Sequence, residues 1–304
     1  MKPTQPPAAE PGRKSKVISL EAAAALIGDG SSLALGGIHA HNGSMAIVRE
    51  LIRQGRRDLT LIPNVSVGMP AELLIAAEAV RTIYASYVGL EHQGLAPAFR
   101  RAGETGSIEI RDVDEPFPVY GMRAGAATLP FMPFPFGHEA VDVVRLNPDD
   151  YRSVTDPFTG AEVVVVRPLN PDFGLIHVPR ADPYGNILIE GSVVQDILIA
   201  KSSSHVIVTA EEIVPVSVTQ RDPKATTVVG FFVDSVVHVP FGAHPTSCHG
   251  KYASDEAHIE LYKELGPDRY IDDWVRGSTE AQYIERIGLR RVTELLEEAQ
   301  NHVA

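Results

Sequence analysis

Four groups of residues have the types and spacing to do chemistry. Gly36-Gly37 closes a short apolar run, and Ser44 opens the next helical stretch. Glycines at that place let backbone N–H groups approach an oxyanion or a phosphate. The plain alternative is a tight strand-to-loop turn. Ala34 and Ile38 stand where a dinucleotide fingerprint needs glycine, which argues against a nicotinamide cofactor. Asp112, Asp114 and Glu115 cluster before Pro116; paired carboxylates raise each other's pKa and serve acid–base work, or simply favour a helix start. His244, Cys248 and His249 lie close together after Gly242, but two imidazoles and one thiol lack a fourth ligand at an accepted zinc spacing, so no metal is expected. His39 and His41 flank Ala40 and read as loop polarity, and Arg100-Arg101 reads as a solvated helix face. Neither a Gly-x-Ser-x-Gly elbow nor a Walker phosphate loop is present.

The elements that must position these groups alternate. Helices are expected over 20–27, 45–54, 70–78, 97–104 and 193–201, with Ser19 and Ser44 as N-caps of the first two. Strands are expected over 32–36, 59–62, 82–88, 173–178, 186–190, 205–210 and 233–239, with a turn over 182–186. The tail of the chain reads as one amphipathic helix over 279–300. Strand and helix trading places at this spacing predict an open three-layer α/β/α fold with a mostly parallel sheet. Between 112 and 172 proline is frequent, and the run 129–136 reads as an extended apolar loop packed on the domain or on a partner. Residues 1–16 read as a disordered tail ahead of one ordered domain, 17–304.

The balance of the 304 residues narrows the partners. With 27 basic and 39 acidic side chains the net charge is −12, which argues against nucleic acid and against an anionic membrane surface. The longest uncharged stretches fall far short of the ~20 apolar residues of a spanning helix. The single cysteine, Cys248, excludes an internal disulfide and fits a reducing, cytoplasmic setting.

Taken together, four stretches in order resemble the α (A) subunit of the family I coenzyme A transferases, the glutaconate CoA-transferase type. They are Ala34-Leu35-Gly36-Gly37-Ile38 with Met45 through Leu51; Tyr87 through Glu91 with Ala96 through Ala102; Arg180-Ala181-Asp182 with Gly185-Asn186 and Val206 through Val214; and Gly242 through Ser247 with Tyr252, Asp255, His258 and Tyr262. Ala34 and Ser44 depart from the family pattern, where glycine and proline are common.

The resemblance implies a CoA-transferase-like fold and a heteromeric enzyme that moves CoA between an acyl-CoA thioester and a carboxylic acid. A homologous β subunit would supply the nucleophilic glutamate from a Ser-Glu-Asn-Gly stretch that this chain lacks. CoA is then a substrate, and no cofactor is required. On this reading Gly36, Gly37, Glu91 and His244 bind substrate or its oxyanion, and Glu115 lines the cleft as the catalytic candidate. Two alternatives stay open. A ring-opening hydrolase branch of steroid degradation carries an Asp-Glu pair ahead of a helix, as Asp114-Glu115 stands here. A non-catalytic CoA- or metabolite-binding subunit would also lack a nucleophile.

Overall fold

The computed structural model describes residues 12–63, 66–135, 137 and 142–303; most of the expected tail and Phe136 of the apolar run lie outside them. The strands are β1 (Val17–Ile18), β2 (Ser32–Leu35), β3 (Leu59–Pro63), β4 (Val80–Ala85), β5 (Glu109–Asp112), β6 (Met132–Pro133), β7 (Tyr151–Thr155), β8 (Glu162–Val166), β9 (Phe173–Ala181), β10 (Ile187–Leu188), β11 (His205–Ile213) and β12 (Ser235–His238). The main sheet runs β1-β12-β11-β9-β2-β3-β4-β5, parallel throughout, with β10 antiparallel on β9.

Side chains alternate across the sheet because the strand period is two. Leu33 and Leu35 enter one core with the helices Leu20–Leu26, Met45–Arg53, Met69–Ala76 and Pro97–Thr105, while Ala34 between them enters the other with the helices Pro116–Ala126 and Asp196–Ser202. The expected α/β/α layering is therefore realised, with helices on both faces. From β2 the chain steps outward one way through β3, β4 and β5, and from β9 it steps the other way through β11 and β12. The crevice between β2 and β9 is thus the topological switch point, the place where open α/β sheets bind ligands beyond their strand ends.

Several expectations are corrected. Ser44 occupies the N-cap of the helix Met45–Arg53, but its hydroxyl is buried, finds no hydrogen-bond partner among the described residues and caps nothing. The Ala46 N–H is instead taken by the Gly242 carbonyl at 2.8 Å. The final helix is two, Glu280–Ile287 and Leu289–Val303, broken where Gly288 adopts φ 84°. The proline-rich middle is more ordered than its composition indicates: β6, β8 and β7 form a separate antiparallel sheet. Phe134, in the expected loop, is buried in the second core, and Phe131 is half-exposed.

The C-terminal helices lie over the first core and are tied down by a buried polar network. Arg49 is fully buried, paired with Glu280, donating to the His244 carbonyl at 2.6 Å, and lying 3.9 Å over the Tyr283 ring. No described helix is long and apolar enough to cross a membrane.

Candidate functional site

The loop that leaves β2 is the centre of the candidate site. Gly36 completes the ladder by donating to the Leu175 carbonyl at 2.8 Å, and a Cβ there would meet the Asp196 carboxylate at 2.7 Å and the Leu175 carbonyl at 2.9 Å. Gly37 turns the chain with φ +79°; a Cβ there would lie 2.5 Å from the carbonyl oxygens of both His41 and Asn42. Its N–H donates to Asp196 Oδ1 at 3.2 Å. Asp196, at the start of the helix Asp196–Ser202, is buried, and that burial pushes its carboxyl pKa up. Sequence reasoning misses Asp196: it has the composition of any helix start, and only the tertiary approach of its helix brings it beneath the glycine turn.

Beyond Gly37 the backbone is held in rare conformations. His39, Asn42 and, on the neighbouring loop after β4, Glu91 all have positive φ (51°, 53° and 57°). The His39 Nδ1 and Glu91 Oε1 atoms are 2.6 Å apart, with both side chains facing solvent. His41 Nδ1 meets Ser247 Oγ at 2.5 Å, and partial burial together with His39 and His249 holds its pKa below the ordinary imidazole value. From the other half of the chain, the segment 241–249 braces the loop. The Ser247 carbonyl accepts from Asn42 N at 2.7 Å, and Thr246 Oγ1 accepts from Gly43 N at 3.1 Å. The structure thus brings Gly36, Gly37 and Glu91 to one rim, with His39, His41 and Ser247 beside them.

Two expected site residues lie elsewhere. His244 is fully buried: Nε2 lies 3.0 Å from Asp255 Oδ2 and Nδ1 lies 2.8 Å from Tyr283 OH. That is a correction, since an imidazole with both nitrogens engaged inside the core does not face the cleft. Glu115 is exposed at the N-cap of the helix Pro116–Ala126, its side chain capping nothing; its own N–H goes to Asp114 Oδ1 at 2.9 Å. It follows the edge strand β5, three inter-strand steps from β2, or ~14 Å across the sheet. It shares the carboxyl-end rim with Gly37 without joining the cluster. Beside it, Asp150 is buried between Arg111 and Arg167 (3.3 and 2.6 Å), and Arg167 also donates to Tyr84 OH at 2.7 Å. This arrangement depends on β7 and β8, which local sequence signals do not announce.

Two clusters of metal-ligating types lie in the interior, and most of their groups are hydrogen-bonded. Glu211, close to His177 and buried Cys248, meets His177 Nε2 at 2.8 Å and accepts from Tyr252 OH (2.5 Å), Phe241 N (2.6 Å) and Gly242 N (3.1 Å). The cluster of His244, Asp255 and His258 is likewise bonded to Tyr283, Arg291 and Tyr270. Arg100 and Arg101 pair with Glu104 and Asp268 on the surface, the solvated face expected of them.

Comparison with known proteins gives a consistent result. Residues 17–239 match the sequence profile of the family described as Coenzyme A transferase. The A subunit of glutaconate CoA-transferase from Acidaminococcus fermentans is 29% identical over 303 residues, covering 92% of this chain and 94% of that one. The cholesterol ring-cleaving hydrolase IpdA subunit of Rhodococcus jostii is 32% identical over 261 residues, covering 83% and 87%. An uncharacterized protein of Archaeoglobus fulgidus is 35% identical over 292 residues; the match covers 91% of this chain and 64% of that longer one. Among solved structures, glutaconate coenzyme A-transferase from Acidaminococcus fermentans superposes with a TM-score of 0.85 at 27% identity, covering 92% of this chain and 95% of that one. A variant of the decarboxylase AibA/AibB superposes with a TM-score of 0.76 at 35% identity, covering 90% and 99%.

Proposed function

This chain belongs to the coenzyme A transferase family, and from that premise we propose that it is the α subunit of a heteromeric CoA-transferase completed by a homologous β subunit. The observation that carries the reading is the glycine turn at the β2/β9 switch point, within a fold matched along nearly its whole length by glutaconate CoA-transferase.

The chemistry divides between the subunits. A glutamate carboxylate of the β subunit attacks the acyl-CoA thioester, giving a mixed anhydride and CoA thiolate. The thiolate then attacks the glutamyl carbonyl, releasing the acid and leaving an enzyme–CoA thioester, and the acceptor acid reverses the sequence. Each addition places an oxyanion near the switch point, where a fixed N–H donor contributes ~3–4 kcal/mol. The Gly37 N–H is already committed to Asp196, so this turn acts first as a rigid template: Asp196 fixes the amide plane over which the thioester carbonyl lies. Glu91 and Glu115 line the rim at its near and far ends, a span that an extended acyl-CoA covers. The enzyme works in the cytoplasm, consistent with the single buried thiol Cys248.

The similarity to ring-cleaving hydrolase subunits supports a second reading, in which exposed Glu115 directs water. One experiment separates the two. The chain is co-expressed with its partner, assayed for CoA exchange over short and dicarboxylic acids, then incubated with acyl-CoA and trapped with hydroxylamine. Exchange with a modified glutamate on the partner supports transfer. Exchange by this chain alone, or no exchange together with a dead Glu115→Gln complex, refutes it.

A further inference from the structure

Acyl transfer between carboxylates moves no proton, because both nucleophiles, carboxylate and thiolate, are anions already. The rim nevertheless carries an imidazole–carboxylate pair. His39 Nδ1 and Glu91 Oε1 lie 2.6 Å apart, so a neutral imidazole donates to the carboxylate from Nδ1 and carries its lone pair on Nε2. Among the described residues Nε2 has no hydrogen-bond partner, and the His39 side chain is 42% exposed.

Stability does not explain the pair. Holding His39 and Glu91 both at positive φ costs roughly 1–3 kcal/mol each, whereas an exposed contact of this kind returns ~0–1 kcal/mol. Strain of that size persists only where the surroundings over-determine it, and here they do. The His39 N–H donates to the Ser66 carbonyl at 3.3 Å, the Gly89 N–H donates to the Val67 carbonyl at 3.4 Å, and bridges His39↔Val67 and Val67↔Val88 lock together the loops that follow β2, β3 and β4. A base held on three strand ends is placed as a reactive group must be.

We propose that His39 is the general base of a hydrolytic activity, oriented by Glu91, acting on a coenzyme A thioester laid over the Gly36–Gly37 turn. The thioester substrate rests on the transferase reading above. His39 Nε2 takes a proton from water as the water oxygen bonds to the thioester carbonyl carbon. The C–S bond then breaks, the electron pair leaves with sulfur, and the thiolate receives the proton from the imidazolium. Thioester and water become carboxylic acid and thiol, and nothing else is consumed. Across this loop His39, His249 and Glu91 all act on His41.

The test uses the co-expressed complex with acetyl-CoA and glutaryl-CoA. Thiol release is followed without any acceptor acid, and exchange is followed in parallel with isotopically labelled acetate present. Thiol release is expected to rise with pH in one ionisation step and to show a solvent deuterium isotope effect. His39→Asn, whose side chain tolerates the left-handed backbone, is expected to lower thiol release by ~10²–10⁴-fold and to erase that step. Glu91→Gln is expected to lower it by about tenfold or more, and stands in should the first variant fail to assemble. Thiol release with the same rate and pH profile in these variants overturns the proposal, as does exchange without any thiol release. Thiol release without exchange leaves His39 in place and sinks the transferase reading; absence of both sinks the two together.

Discussion

Acidification to pH 5 is expected to weaken the packing of the C-terminal helices, and His258 sets the size of the effect. Its ring is buried, bonded to Tyr270 OH at 2.8 Å, with its centroid 4.7 Å from that of Trp274. Burial first, then the neighbouring His244, holds its pKa down to about 3. An unfolded imidazole titrates near ~6.5, so below that pH the unfolded chain binds a proton that the folded chain refuses, and stability falls as the pH drops. At pH 5 the unfolded imidazole is ~97% protonated, which corresponds to a loss of about 2 kcal/mol. That figure barely depends on the folded value so long as it lies well below 5. Burial also lowers His244, adding in the same sense. Buried Glu72 and Asp196, whose carboxyls are pushed upward, act in the opposite sense. A comparison of variants cancels their contribution. His258→Gln should be less stable at pH 7 by ~1–3 kcal/mol through the lost hydrogen bond, yet should lose about 2 kcal/mol less than the parent between pH 7 and pH 5. Urea unfolding of the complex at both pH values, read from the fluorescence of Trp274, the chain's single tryptophan, measures both quantities. Equal pH dependence in parent and variant would refute the reasoning.

Gly37→Ala should reduce CoA exchange at least tenfold and cost ~2–5 kcal/mol in stability, because its Cβ meets two backbone oxygens at 2.5 Å on a left-handed residue; an undiminished exchange rate in the assembled complex would remove the template role of the turn. Glu115→Gln should lower exchange by less than ~10-fold with unchanged melting, since the side chain is exposed and caps nothing; a loss of ~10²-fold or more in steady-state rate would make it a reacting group. Phe134→Ser should destabilise the chain by ~3–5 kcal/mol as a core truncation, whereas Phe131→Ser should leave its melting nearly unchanged and weaken assembly if that half-exposed ring meets the partner. Calorimetry and size-exclusion chromatography of each variant separate the two effects.

The architecture is legible in the sequence because periodicity carries it. Leu33, Ala34 and Leu35 alternate between two cores, and the helix Met45–Arg53 begins and ends within a residue of its sequence signals. The middle is not legible because its proline count argues against regular structure, while the pairing of β8 with β6 and β7 is a long-range fact that no local propensity expresses. For the site, glycine spacing locates the turn, and the motif around Glu91 locates the neighbouring loop. What escapes is whatever depends on tertiary approach: Asp196 beneath Gly37, and the partnership of His39 with a residue 52 positions away. His244 misleads for the same reason. A histidine in a glycine- and proline-rich loop has the local look of a site residue, and only the arrival of Asp255 and Tyr283 makes it part of the core.

His244 still bears on the site, through the backbone rather than the ring. Its carbonyl accepts from Arg49, which lies on the helix that leaves the glycine loop. The segment that carries it presents Thr246 to Gly43 and Ser247 to His41 and Asn42. The strained stretch from Gly37 to Gly43 is therefore clamped between its own helix and a loop anchored in the C-terminal layer by Asp255, Tyr283 and Glu280. Such a clamp makes site geometry and C-terminal packing one cooperative unit, because neither contact surface deforms gradually in a close-packed interior. The weakened packing around His258 at low pH should consequently reach the glycine turn, and CoA exchange should fall with pH alongside the Trp274 signal rather than ahead of it. A rate that collapses while the tryptophan environment stays native would separate the two and break the clamp argument.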